Sequence, residues 1–330
     1  MAKLLALAAA LVMAPTALGD GLPVVGVDGG STGVTAPGES VRYVTLPAGD
    51  LTIVARVQGD GGRIFRSMQL PGRFTIPAVA YDGSTSGLSA DGSTLVLIRP
   101  RTAFPRARTP LAILDARTLQ FRGSITLHGD FSFDALSRNG AWLYLIQYVD
   151  PTDPTQYRVR AFDVRAARLL PKPVVDPRER GEAMRGSPIT RATSPDGRWA
   201  YTLYDGVGEH PFVHALDTQA RTAHCVELQA LAGRRDLYRL RLQASRDELV
   251  VSAPKGPVAV IDTKTFRVSD PAHGGGRSWM VGAVAIAVLL AVALGSANRL
   301  QRLQVLRRRR PGAGRDVRAH LLRLGRAGDD

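Results

Sequence analysis

Four times along the chain a small polar residue leads, through a short polar tetrad, into an apolar run. Ser89-Ala90-Asp91-Gly92 precedes STLVLI, Ser137-Arg138-Asn139-Gly140 precedes AWLYLI, and Ser194-Pro195-Asp196-Gly197 precedes RWAYTLY. Ser245-Arg246-Asp247-Glu248, before LVVSA, is a degenerate fourth. Asp-Gly and Asn-Gly between β-rich runs predict tight hairpins, because these residues tolerate the positive φ such turns demand. Each tetrad is followed by a second strand-like run that closes on an aspartate and a short turn: LAILDARTL with Asp115, VRAFDVRAARL with Asp163, FVHALDTQART with Asp217 and VAVIDTKTF with Asp262. These aspartates recur at intervals of 48, 54 and 45 residues. The two motifs keep one order throughout, so the repeating unit is a set of four short strands. Residues 38 to 78 read as three further strands of a first unit that lacks the aspartate turn.

The paired motifs resemble the YVTN or WD40-like β-propeller repeats of bacterial secreted and membrane-anchored proteins, over residues 79 to 270. The resemblance implies an all-β fold, a β-propeller. About 250 residues at about 49 per unit give five blades, or six if an N-terminal strand completes the last one. It further implies that the tetrad turn joins the first and second strands of a blade and the aspartate turn the third and fourth, with both kinds of turn at one end. The connections left for the other end are long: residues 99–110, 147–156, 171–188 and 204–211. Loops tolerate insertion and carry recognition, so a binding face is expected there.

Two hydrophobic segments flank this region. Residues 1–19, MAKLLALAAALVMAPTALG, carry one Lys, a short apolar run and a small-residue exit, the pattern of a secretory signal peptide; an uncleaved anchor is the alternative. Residues 279–297 form a stretch of 19 residues without a charge, which as a helix reaches about 28 Å, close to the thickness of a hydrocarbon core. Trp279 suits its outer interface, and a Gly-rich linker, 271–278, precedes it. The tail, 298–330, holds ten Arg against three Asp. By the positive-inside rule it is cytoplasmic, which puts residues 20–270 outside a cell membrane crossed once, in type I orientation. Arg307, Arg308, Arg309 and Arg310 would meet anionic lipid at about 1 kcal/mol each.

The net charge of +14 therefore changes meaning, since half of it sits in that tail. No nucleic-acid partner is expected; membrane lipid and an envelope protein are. The single cysteine, Cys225, excludes an internal disulfide and a multi-cysteine zinc cluster. The candidate partner-binding residues are basic: Arg99, Arg101, Arg106 and Arg108 around Phe104, with Arg178 and Arg185 in the longest loop, where Asp176, Glu179, Arg180 and Glu182 also lie. Guanidinium groups beside an aromatic ring suit an anionic partner. There is no GxSxG nucleophile motif, and the tetrad serines are explained by turn chemistry. Asp150/Asp153 and Asp205/Glu209 lack the Gly-containing alternation of a calcium loop. His210 and His214 are four apart on a loop-then-strand stretch rather than on a helix. Neither metal nor cofactor is expected, and Cys225 reads as a small buried hydrophobe. The sequence thus predicts a non-enzymatic binding or scaffold module; the alternative is a lactonase-like or other hydrolase with a metal in the propeller's central channel.

Overall fold

The computed structural model describes residues 33–35, 40–59, 63–179, 184–208 and 210–271. The chain divides after His273 into a unit that contains every strand described below and a second unit, 274–330, outside the described residues. The signal segment, most of the linker, the expected span with Trp279, and Arg307 to Arg310 likewise lie outside them. Among the described residues no helix is long and apolar enough to cross a membrane.

The described chain is a succession of five antiparallel sheets, each built from consecutive strands. The first holds β1 (Val34–Thr35), β2 (Val41–Ala48), β3 (Leu51–Gln58) and β4 (Ile64–Pro71). The second holds β5 (Thr94–Ile98), β6 (Arg108–Asp115) and β7 (Phe121–His128). In the third, β8 (Phe131–Leu136), β9 (Trp142–Tyr148), β10 (Gln156–Asp163) and β11 (Arg168–Val174) are joined by the short β12 (Met184–Arg185) on β10. The fourth comprises β13 (Pro188–Thr193), β14 (Trp199–Tyr204), β15 (Phe212–Asp217) and β16 (Thr222–Glu227). The fifth comprises β17 (Arg241–Ala244), β18 (Glu248–Ala253), β19 (Gly256–Asp262) and β20 (Val268–Ser269). Strand β1 belongs to the first sheet and the fifth holds its own four strands, so among the described residues no N-terminal strand joins the last unit.

Burial follows strand position within a sheet. Strands β5 and β8 are buried along their whole length, whereas β4, β7 and β11 are largely exposed. Inner strands are covered on both faces by neighbouring sheets, and fourth strands are free edges. That is why β11 tolerates Pro171 and Pro173, which cannot donate to a ladder. Successive sheets share cores: Leu70 and Leu95 between the first and second, Ile98 and Phe133 between the second and third, Val159 and Leu216 between the third and fourth, and Val213 and Leu249 between the fourth and fifth. Each such side chain contributes about 1.5–3 kcal/mol by leaving water.

Both repeated motifs prove to be backbone devices. In the tetrads Ser89, Ser137 and Ser194 donate to the side chain two residues on, and accept from Thr94 N, Trp142 N and Trp199 N at 2.9 Å each. The aspartates cap the outer turns, with Asp115, Asp163, Asp217 and Asp262 each accepting from the amide three residues on. Every one of these turns then passes through a left-handed residue that is not glycine: Leu119, Ala167, Arg221 and Phe266, with φ between 50° and 61°. Such a residue costs about 1–2 kcal/mol. At exposed Ala167, where no packing is lost, Ala167→Gly is expected to raise the unfolding free energy by about 0.5–1 kcal/mol in a urea titration.

The innermost element came as a surprise from the sequence. Before β5, residues 86–89 lie along β5 as its inner neighbour, and residues 78–85 leave that line as a hairpin closed by an Ala78–Thr85 bridge. Tyr81 N and Asp82 N donate to Pro188 O (2.9 Å) and Ile189 O (3.1 Å) of β13. Thr85 Oγ1 donates to Gly33 O beside β1 (2.6 Å), and Asp82 faces Arg241 of β17 at 3.8 Å. Ala78 and Val79 line a small void with Ser132 and Phe133 of β8. One hairpin thus meets the first strands of sheets that are remote in sequence, which requires those strands to converge, as the inner strands of propeller blades do.

Candidate functional site

Because each sheet is a meander, alternate turns fall at the same end, and the end opposite the two turn motifs holds the long connections 99–107, 149–155 and 205–211 but also the two-residue connections 49–50, 129–130 and 254–255; residues 108–110 and 171–174, expected in loops, belong to β6 and β11. The half-exposed acids of the long connections bond mostly to their own turns. Asp150 accepts from Thr152 N, Thr152 Oγ1 and Asp153 N, and Asp153 from Thr155 N and Gln156 Nε2. Asp205 accepts from Ser187 N (2.8 Å) and Val207 N (3.2 Å). These carboxylates shape turns. Glu209, Arg180 and Glu182 lie outside the described residues.

The basic loop divides into built-in and outward-facing parts. Arg101 is only 3% exposed; it pairs with Asp130, itself 5% exposed, and lies over the Tyr148 ring at 4.7 Å and the Phe104 ring at 5.6 Å. Arg106 meets the same carboxylate at 3.3 Å, and its amide donates to it at 2.8 Å. Phe104 packs edge-on to Tyr148, with ring centroids 5.5 Å apart. The anion that Arg101 and Arg106 were expected to seek is therefore within the chain, and these two with Phe104 staple the loop to β8 rather than face a partner. Arg99, Arg108 and Arg185 are exposed and, among the described residues, form no ion pair. Arg178 is exposed as well, though it clasps Asp176.

Between the third and fourth sheets lies a cavity of about 220 Å³ whose walls include Asp176, Glu179, His210, His214, Cys225 and Glu227. Asp176 is its hub. The carboxylate accepts from Arg178 N, Arg178 Nε and Nη2, and Cys225 N (2.9 Å), while Arg178 Nη2 also reaches Cys225 O (2.9 Å). These donors hold the Asp176 carboxyl well below the ordinary range despite its burial. Burial, with Glu179 and Asp176 nearby, pushes the Cys225 thiol far up. His214 is 1% exposed, its Nε2 has no hydrogen-bond partner among the described residues, and burial lowers its pKa to about 4. At the mouth His210 Nε2 lies 2.8 Å from Glu227. Sequence reasoning paired His210 with His214 but did not join either to Cys225 or Asp176. The signal that joins them is register: His214 and Cys225 stand directly opposite on β15 and β16, and so share a face.

Deeper in, Arg191 of β13 and Asp134 of β8 form a buried ion pair between the inner strands of adjacent sheets, and Arg191 Nη1 also donates to Asp134 O at 3.1 Å. Nothing in the spacing of the motifs marks this pair.

No family model matches the chain, and no curated protein matches it. Among solved structures it is similar to hydrazine synthase of Kuenenia stuttgartiensis (14% identity, 72% of this chain and 78% of that one, TM-score 0.38). It is similar also to a putative TolB from Agrobacterium tumefaciens (15%, 71% and 77%, TM-score 0.40) and to TolB from Acinetobacter baumannii (12%, 70% and 51%, TM-score 0.39). No activity or partner passes from these proteins to this chain.

Proposed function

We propose that the chain is a membrane-anchored, extracytoplasmic binding or scaffold module of the β-propeller type, which offers the long-connection end of its sheets to an acidic segment of an envelope protein. The observation that carries this reading is the division of charge at that end: Asp130, Asp150, Asp153, Asp176 and Asp205 are bonded within the chain, while Arg99, Arg108, Arg178 and Arg185 point outward. A rigid surface that consumes its own acids and exposes guanidinium groups favours carboxylate ligands, which guanidinium binds in bidentate fashion. The apolar stretch 279–297 and the Arg-rich tail support anchoring, with residues 20–270 outside.

The test uses the full-length chain in cells. Changing Arg99, Arg108 and Arg185 together to Ala is expected to abolish in-cell cross-linking to the partner while leaving the melting temperature unchanged. An unaltered cross-linked species would remove this end from recognition. For topology, Gly275→Cys should react with an impermeant maleimide on intact cells and Gly312→Cys should not; the reverse pattern overturns the orientation.

A further inference from the structure

We propose that the cavity between the third and fourth sheets binds a thiophilic divalent cation of the zinc class, held by Cys225 Sγ, carboxylate oxygens of Glu179 and Asp176, and His214 Nε2. The inference stands apart from the partner-binding reading and uses none of its outward-facing arginines. Ligand atoms of Asp176, Glu179 and Cys225 lie within 4.8 Å of one another. Bonds of about 2.0–2.3 Å place tetrahedral donors roughly 3.3–3.8 Å apart, so the three need to close by at most about 1.5 Å, while His214, which stands outside that group, has further to move. A cluster of this kind is by itself no site. The independent observation is His214: an imidazole 1% exposed, lining the same cavity, opposite Cys225 in the strand register, with an Nε2 that no group among the described residues satisfies. An unpaired buried polar atom costs about 1–3 kcal/mol. With the proton on Nδ1, that nitrogen offers its lone pair to a metal.

The donor set decides the class of ion. One sulfur and one imidazole favour zinc-like cations over calcium or magnesium, which take oxygen ligands. The surroundings meet the second requirement of a metal site, that ligands be held from outside. Asp176 is fixed by Arg178 and by the Cys225 amide, whose bonds fill both of its oxygens, so it would reach a cation by giving up a bond from Arg178 while the Cys225 amide holds it from outside. A dication also offsets the negative charge that two carboxylates place beside the sulfur. On binding, the Cys225 S–H bond breaks, the thiolate electron pair goes to the metal, and one proton leaves to solvent.

The experiment takes the full-length chain, freed of metal by chelator dialysis, and titrates zinc alone against a chromophoric chelator, with cobalt as spectroscopic probe. The wild type is expected to bind one zinc ion through this site, to release a proton, and to show a thiolate-to-cobalt charge-transfer band. Zinc absorption-edge spectra should contain one sulfur and an imidazole. Cys225→Ser should abolish the band and weaken binding at least tenfold, and Glu179→Gln at least tenfold while melting in chelator stays unchanged. Cys225→Ser keeps the backbone latch to Asp176, so its loss of binding is not loss of fold. The proposal fails if the wild type binds no zinc, if the cobalt band is missing, or if Cys225→Ser binds as the wild type does.

Discussion

Asp130→Ala is expected to lower the unfolding free energy by about 3–5 kcal/mol, the cost of leaving a buried charge without its partner. The charge left behind is Arg101, whose side chain is 2% exposed and lies between the rings of Tyr148 and Phe104. Arg106, which meets the same carboxylate, loses both its ion pair and the bond from its amide, so the 99–107 connection should loosen with the core contact. Removing both sides of the main pair, in Asp130→Leu with Arg101→Met, should recover a large part of the loss, because two apolar groups of similar shape carry no desolvation debt. The readout is the urea midpoint at constant slope. A loss below about 1 kcal/mol would put Asp130 in solvent. It would return Arg101 to the recognition surface.

Gly197→Ala is the second large effect expected, at about 2–5 kcal/mol. Gly197 sits in the tetrad turn of the fourth sheet at φ 72°, and a Cβ there would lie 2.2 Å from Cβ of Ala90 in the corresponding turn of the second. Two costs add: a left-handed alanine, about 1–2 kcal/mol, and overpacking, about 1–3 kcal/mol. They separate in a double-mutant cycle. Ala90→Gly should relieve the steric part and leave the conformational part, giving a coupling of about 1–3 kcal/mol between turns roughly a hundred residues apart. Additive losses would mean that the two turns do not touch. The neighbouring turns are also bonded, with Asp91 N donating to Arg138 O (3.0 Å) and Arg138 Nη1 to Asp196 O (2.6 Å). The tetrads therefore meet one another as well as making hairpins.

The strands and their order were legible because they are encoded locally. Ser-x-Asp-Gly and the strand-closing aspartates carry their own turn chemistry, and each falls between the strands that the spacing assigned to it. The long connections at 149–155 and 205–211 followed from counting, whereas the ends of the 99–110 and 171–188 stretches run into β6 and β11. What local pattern did not show is how side chains pair over distance. Arg101 and Asp130 are 29 residues apart, Arg191 and Asp134 57 apart. A basic loop reads the same whether its anion is a partner or a strand of its own fold. The 78–85 hairpin was missed for a related reason: YDGSTSG carries turn residues but no apolar alternation, and its worth lies in backbone bonds to β13. His214 and Cys225 were named separately, and only the β15–β16 register sets them face to face.

The claim beneath all of this is that first strands far apart in sequence converge on the hairpin at residues 78–85. Residue-resolved hydrogen exchange on the native full-length chain tests it most directly. Tyr81 N and Asp82 N have no hydrogen-bond acceptor within their own hairpin and donate to Pro188 O and Ile189 O across the centre. Both amides should exchange at least about a thousandfold more slowly than in an unfolded peptide, in step with the amides of β13. Exchange at the unfolded-chain rate, while β13 stays protected, would show the hairpin undocked and contradict the convergence.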